Sequence, residues 1–295
     1  MPRIIQFLHP SVEATPLLPS ETIINWNNHD SHRRKFILSE GEYLNEKKQL
    51  ICEDLVFWGE WEPQSKIIST RRGNSKPPKF INIPFIDPKV ADRYHTTDPN
   101  VFGNVFRYII CMQRAFHRVL VDMPVGSIVL FGSSINRQFC LDTVFVVSGR
   151  QINYTLKTIN KIIEHSLKGQ YYHATICPIV NNANVTVQIE DDSCRLPTNH
   201  HCTYYEGVKF SERSEFGGMY SFVPCKIYNQ KSQLSSLFNQ PTIQLDIFKG
   251  TQTQGITHKD LSLVEIEQYW SEIRRQIAKQ DLLEAVSFKN PPLKL

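Results

Sequence analysis

Two apolar runs, residues 125–131 and 139–147, are separated by Gly132, Ser133, Ser134, Ile135 and Asn136. Turn-forming residues between two β-rich runs predict an antiparallel pair. A chain that holds such a pair must organise much of its core around a sheet. Strand character recurs at residues 35–38 and 55–61, where aromatic and branched side chains cluster. It returns between residues 171 and 225 as the short segments YYHATICPIV, NVTVQI, TYYEGVKF and GMYSFVPC.

Three helices are expected beside this sheet. Val105, Ile109, Met112, Phe116 and Val119 recur at spacings of four and three, an amphipathic stripe. Residues 153–167 place Leu156, Ile159 and Ile163 on one face. Ser262-Leu-Val-Glu265 forms a capping box ahead of the stripe Ile266, Trp270, Ile273 and Ile277. The sum is an α+β protein with a bent or barrel-like antiparallel sheet and several packed helices. One linker-like stretch, residues 65–79, stands out, but no convincing domain boundary divides the chain, so one globular domain over residues 1–295 is expected.

Composition narrows the function classes. Lys and Arg number 33 against 29 Asp and Glu, a net charge of +4, too small for a protein held on bulk duplex DNA by charge alone. No apolar run approaches the roughly 18 residues of a membrane span, and His9 and Pro10 break the first one, so neither a signal peptide nor a membrane partner is expected. Seven cysteines without a CxxC pattern suit a reduced, cytoplasmic setting. The grouping Cys194, His200, His201 and Cys202 matches no common zinc spacing, and neither a metal nor a cofactor is expected. P-loop, GxGxxG and nucleophile-elbow patterns are absent, which argues against P-loop nucleotide hydrolysis and dinucleotide redox chemistry.

Aromatic content is high, with 17 Phe, 11 Tyr and 4 Trp, and one cluster sets it beside acids: FWGEWEP at residues 57–63. Alternation along a strand puts Trp58, Glu60 and Glu62 on one face and Phe57 and Trp61 on the other. Trp58, Trp61 and Tyr108 are candidate base-stacking residues, and Glu60 and Glu62 could do acid/base work if burial splits their pKa values. The alternative is that the tryptophans pack a core and the glutamates pair with basic side chains.

Residues 29–35, HDSHRRK, offer a phosphate or carboxylate clamp in His32, Arg33 and Arg34, although Glu60 and Glu62 could equally be the partners of those arginines. Residues 65–79 carry Lys66, Arg71, Arg72, Lys76 and Lys79 without an acid, and read as a flexible loop able to lie along phosphates. Asp98 or Asn100 could cap the first helix, whose free N–H groups favour an anion. Asp142 stands in the apolar strand FCLDTVFVV, on the face of Cys140, Val144 and Val146, where a buried acid is either a hydrogen-bond hub or a site residue.

The segments Asp98-Pro-Asn-Val-Phe-Gly103, Cys111-Met-Gln113, Gly126-Ser-Ile-Val-Leu-Phe-Gly-Ser133 and Leu141-Asp-Thr-Val-Phe-Val-Val147 follow a recognisable order. The order resembles the nucleotide modification associated domains, over about fifty residues. It departs from that pattern at Met112 and Gln113, where Lys and Pro would stand, and at Ser127, which replaces an acid. The Gly-Ser-Ile-Val-Leu-Phe-Gly strand is also similar to that of PUA-like barrels, which grip flipped or modified bases, and implies a PUA-like core at about residues 98–225.

The resemblance makes Asp98, Asn100, Gly103 and Gln113 candidate ligand-binding positions and implies association with modified nucleotides in DNA, in bacterial or phage modification and defence settings. Three functions follow as expectations. The first is an enzyme that flips a base and hydrolyses its N-glycosidic bond, with Glu60, Asp142 or Glu62 positioning water or stabilising the cationic sugar. The second is a non-catalytic reader that uses the same pocket. The third is an effector that consumes NAD or another nucleotide.

Overall fold

The computed structural model describes residues 1–9, 12–27, 32–70, 78–87, 95–109, 118–136, 138–154, 169–178, 185–189, 192–195, 202–229, 239–248 and 255–294. The chain opens with β1 (Arg3–His9) and β2 (Ile23–Ile24), then a long hairpin of β3 (Arg34–Leu44) and β4 (Leu50–Glu60). β5 (Ser65–Thr70), β6 (Phe80–Pro84), β7 (Arg107–Tyr108) and a single helical turn, α1 (Arg118–Val121), follow. A second hairpin joins β8 (Ile128–Ile135) to β9 (Gln138–Tyr154). Next come a π-helical turn at Tyr172–Ile176, β10 (Val185–Ile189), β11 (Asp192–Arg195) and β12 (Cys202–Gly207). The last elements are a 3-10 turn at Phe210–Phe216, β13 (Val223–Ile227), β14 (Thr242–Ile243), β15 (Gly255–Asp260), the helix α2 (Leu263–Ala278) and β16 (Leu283–Phe288).

This is a strand-rich mixed α+β architecture with two large sheets. The first runs β15-β1-β8-β9-β12-β7, with β14 added on β9. The second runs β16-β13-β4-β3-β6-β5-β2, and β16 also pairs with β3, so four of its strands close on themselves. Neither sheet is purely antiparallel as expected, because β1 lies parallel to β8 and β3 parallel to β6.

Two core clusters each draw on both sheets. Phe7, Val129 and Phe131 of the first sheet pack with Ile37 and Phe57 of the second. Ile4, Val144 and Val146 pack with Phe36, Val56 and Trp58, and α2 closes this second cluster. Ile266, Trp270, Ile273 and Ile277 of α2 are buried as their spacing predicts. Both capping-box bonds form, Glu265 N–H to Ser262 Oγ at 3.4 Å and Ser262 N–H to Glu265 Oε2 at 2.8 Å.

Several expectations change. Residues 105–109 do not begin a helix: Arg107 and Tyr108 pair with Glu206 and Tyr205 of β12. The helical spacing of Val105 and Ile109 is coincidental, because Arg107 closes a hairpin-like loop by exchanging backbone bonds of 2.8 and 2.9 Å with Asn100, while Met112 and Phe116 lie outside the described residues and Val119 falls in α1. Residues 171–178 are helical rather than extended, and bury Tyr172, Ala174, Thr175 and Ile176. Residues 153 and 154 finish β9, and the rest of the helix expected at 153–167 lies outside the described residues. Residues 65–70 form a strand rather than loop, while Arg71, Arg72 and Lys76 lie outside the described residues. The expected turn at 132–136 shrinks to its end, since β8 continues to Ile135, which pairs with Gln138, and Asn136, at φ 51°, is the turn residue among those described.

A β-bulge interrupts the β8–β9 ladder, where Phe131 faces Thr143 but Gly132 faces Leu141. The extra residue is Asp142. A Cβ on Gly132 would stand 2.2 Å from the Cys140 carbonyl oxygen and 2.6 Å from the Phe139 ring. Gly132→Ala should therefore force the two strands apart and cost about 3 kcal/mol, the upper part of the range for overpacking, readable as a lower urea midpoint.

Candidate functional site

The ends of β1, β3 and β4 meet the bulge of β9 between the two sheets. Arg34 and Glu60 are opposite residues at the open end of the β3–β4 hairpin, one step beyond the apolar pair Phe36 and Trp58 on the same face. Asp142 reaches Arg34 from the other sheet. By plain alternation it would join Val144 and Val146, but the bulge gives that place to Leu141 and redirects the acid, as bulges beside functional sites do.

Arg34 is buried and donates from Nε to Asp142 Oδ2 at 2.6 Å and from Nη1 to Glu60 Oε2 at 2.8 Å. The arginine is thus the partner of Glu60 and Asp142, and it has no free face with which to clamp phosphate. His9 Nδ1 also meets Glu60 Oε2, at 3.2 Å, and the Asp98 N–H donates to Glu60 Oε1 at 3.0 Å. Glu62 sits just past β4, with Oε1 2.7 Å from His32 Nδ1 and Oε2 accepting from Asn27 Nδ2 at 2.7 Å. The His32 ring stacks on His9 at 5.3 Å and meets His95 edge-on at 4.5 Å. Its side chain keeps 27% exposure, more than those of His9, Glu60 and Glu62.

The electrostatics set these groups apart. Burial opposes a charge on Glu60, but Arg34 and His32, with the His9 hydrogen bond, outweigh it and hold the carboxylate well below its usual range. Burial pushes Asp142 up to about 7 despite the guanidinium beside it. Burial lowers His9, whereas His32 is raised because Glu60 and Glu62 outweigh its desolvation. The cluster therefore combines a carboxylate, an acid that titrates near neutral pH, an imidazole whose neutral form is favoured and one whose charged form is favoured.

Lys35, on the opposite face of β3, is fully buried, donates from Nζ to the Pro63 carbonyl at 2.7 Å, and borders a cavity of about 60 Å³ with Trp26, Asn27, Arg33 and Glu62. Burial lowers its pKa to about 7, against a weaker upward pull from Glu62. Above pH 7 the folded state then holds a neutral amine while the unfolded chain still binds the proton up to its ordinary value near 10.5. Stability attributable to Lys35 is present above that value and is lost as pH falls toward 7. Lys35→Met should remove a slope of about one proton, or roughly 1.4 kcal/mol per pH unit, from denaturant midpoints measured between pH 7 and 10.

The remaining candidates take other roles. Trp58 and Trp61 are 0% exposed, and their rings pack on Phe36 at 4.7 Å and Phe102 at 5.0 Å. Tyr108 is buried among Phe131, Phe145 and Tyr205. All three are core residues and present no face on which a base could stack, which corrects the expectation drawn from their proximity to acids. The predicted sidedness does hold, since Trp58 lies in one cluster and Phe57 and Trp61 in the other.

Asp98 and Asn100 do not cap a helix. Asp98 Oδ1 accepts the Ile109 N–H at 3.0 Å, and Asn100 Oδ1 accepts the Phe102 N–H at 3.1 Å. Gly103, at φ 89°, donates its N–H to the Phe288 carbonyl at 2.8 Å, a left-handed conformation that suits glycine. Gln113 lies outside the described residues. Sequence reasoning missed His9, Asn27 and Lys35. The one available signal for His9 was a polar residue ending an apolar strand on the face of Ile5 and Phe7. Comparison of the chain with known protein families, curated proteins and solved structures returns no match.

Proposed function

We propose that this protein hydrolyses the N-glycosidic bond of a nucleotide, with a modified base in DNA as its substrate. One observation carries the reading: Glu60 and Asp142 are bridged by a single arginine yet tuned in opposite directions, one ionised and one protonated up to about pH 7. Asp142 donates a proton to the departing base as the C–N bond breaks. Glu60 stabilises the positive charge that develops on the sugar and orients His9. With its Nδ1–H given to Glu60, the neutral His9 imidazole keeps Nε2 as the base that takes the proton of the attacking water.

The substrate class comes from the resemblance to nucleotide modification associated domains, and a PUA-like arrangement of the strands around β8 belongs to the same proposal. Phosphate contact falls to Arg33, since Arg34 is committed to the acids. The test is incubation with ordinary DNA, phage-modified DNA, free nucleotides and NAD, followed by chromatography for released base and a search for abasic sites. Release from modified DNA supports the reading. Binding of modified DNA without any product would make the protein a reader instead, and release of nicotinamide from NAD alone would make it an effector.

A further inference from the structure

We propose that His32, Glu60 and Glu62 bind a divalent transition-metal ion of the zinc or manganese type. One ligand atom from each, an imidazole nitrogen and a carboxylate oxygen of either glutamate, lies within 4.8 Å of the others. Donors that share an ion at about 2.1 Å stand at most about 4.2 Å apart, so small side-chain shifts bring atoms so spaced onto one ion.

The arrangement resembles a prepared ligand set more than a chance meeting of charges. Each glutamate is pinned through its Oε2, Glu60 by Arg34 at 2.8 Å and His9 at 3.2 Å, and Glu62 by Asn27 at 2.7 Å. The Oε1 atoms are thereby turned toward His32, at 3.8 Å for Glu60 and 2.7 Å for Glu62. Outer partners that fix the orientation of ligating groups in this way are the usual support of a metal centre. Glu60 Oε1 also accepts the Asp98 N–H at 3.0 Å, which leaves its second lone pair for an ion.

Charge favours a cation here. Two buried carboxylates face the imidazole, while the guanidinium of Arg34 sits on the far oxygen of Glu60. One nitrogen and two oxygen donors suit zinc or manganese, and the imidazole disfavours magnesium, which prefers oxygen throughout. Three protein ligands with the partly exposed His32 at the rim leave further coordination positions for water or a substrate oxygen, the pattern of reactive rather than structural metal sites. The site shares Glu60 with the proposed hydrolysis, but its test does not depend on that activity: a protein that binds the ion and releases no base loses only the hydrolysis.

The full chain, stripped with chelator and dialysed, would be titrated calorimetrically with zinc chloride, manganese chloride and magnesium chloride. The expected result is one equivalent of zinc or manganese bound at micromolar or lower dissociation constant, with magnesium at least tenfold weaker. His32→Gln and Glu62→Gln should each weaken binding by tenfold or more, while His258→Ala, an exposed histidine elsewhere, should not. Circular dichroism checks that each variant keeps the fold, and loss of the free-manganese electron paramagnetic resonance signal when the wild-type protein is added gives a second reading. No binding by the stripped wild-type chain overturns the proposal, as does equal affinity in folded His32→Gln.

Discussion

Replacing Arg34 by methionine should destabilise the protein by about 4 kcal/mol, enough to consume much of the stability of an ordinary domain. The reason is asymmetric. Arg34 links the two sheets through Asp142 and Glu60, and its removal leaves both acids buried without the guanidinium that bridges them. Glu60 would retain His9 and the Asp98 N–H, but Asp142 Oδ1 is already buried without a hydrogen-bond partner among the described residues, and Oδ2 would join it. Equilibrium urea unfolding, followed by tryptophan fluorescence, measures the loss. Arg34→Met combined with Asp142→Leu and Glu60→Gln should recover part of it, because the cost lies in orphaned charge rather than in missing volume. A single mutant as stable as the wild type would show that the arginine bridge contributes nothing.

The largest effect on activity is expected from the two acids. If base release occurs at this cluster, Glu60→Gln should slow it by at least 100-fold, the scale on which removal of a preorganised electrostatic partner is felt. Asp142→Asn should slow it by a comparable 10²- to 10⁴-fold, the scale of a positioned proton donor. The pH profile separates their roles. Asp142 must be protonated to donate, and its pKa is raised to about 7, so the wild-type rate should fall as pH rises through that value. Asp142→Asn should lack that limb, whereas Glu60→Gln should keep it at a lower rate. Single-turnover release measured from pH 5 to 9 decides this. An unchanged pH profile in Asp142→Asn would remove Asp142 from the chemistry.

How much was legible depended on whether the information was local. The capping box and stripe of α2 were readable because they lie within one helix and need no knowledge of the rest of the chain. The β8–β9 pair and the strands containing Phe36 and Trp58 were readable for the same reason, and they carried Arg34 and Glu60 to opposite positions. Asp142 shows where that logic stops. Alternation assumes an unbroken pleat, and one extra residue beside Gly132 changes which side chain faces the core. The tryptophans failed differently: a ring next to an acid looks the same in sequence whether it floors a pocket or fills a core. His32 and Glu62 are thirty residues apart, and no spacing rule joins them. The loop from Asp98 to Ile109 imitated a helix because its tertiary partners, β12 and Phe288, lie far downstream.

The closing of the second sheet also bears on synthesis. Its ring is completed by β16, which pairs with β3 through contacts such as Ser287 to Glu42, 245 residues apart in sequence. During translation the β3–β4 hairpin emerges early; β6 covers the Phe36–Ile37 part of the β3 edge soon after, but the β4 edge and the Gly41–Tyr43 part of β3 stay open until β13 and β16 leave the ribosome. Such long-range pairing is slow to form, and bare strand edges are the surfaces through which nascent chains join wrongly to one another. The protein's vulnerability to misassembly is therefore concentrated in the interval between the making of its first large hairpin and its last strand.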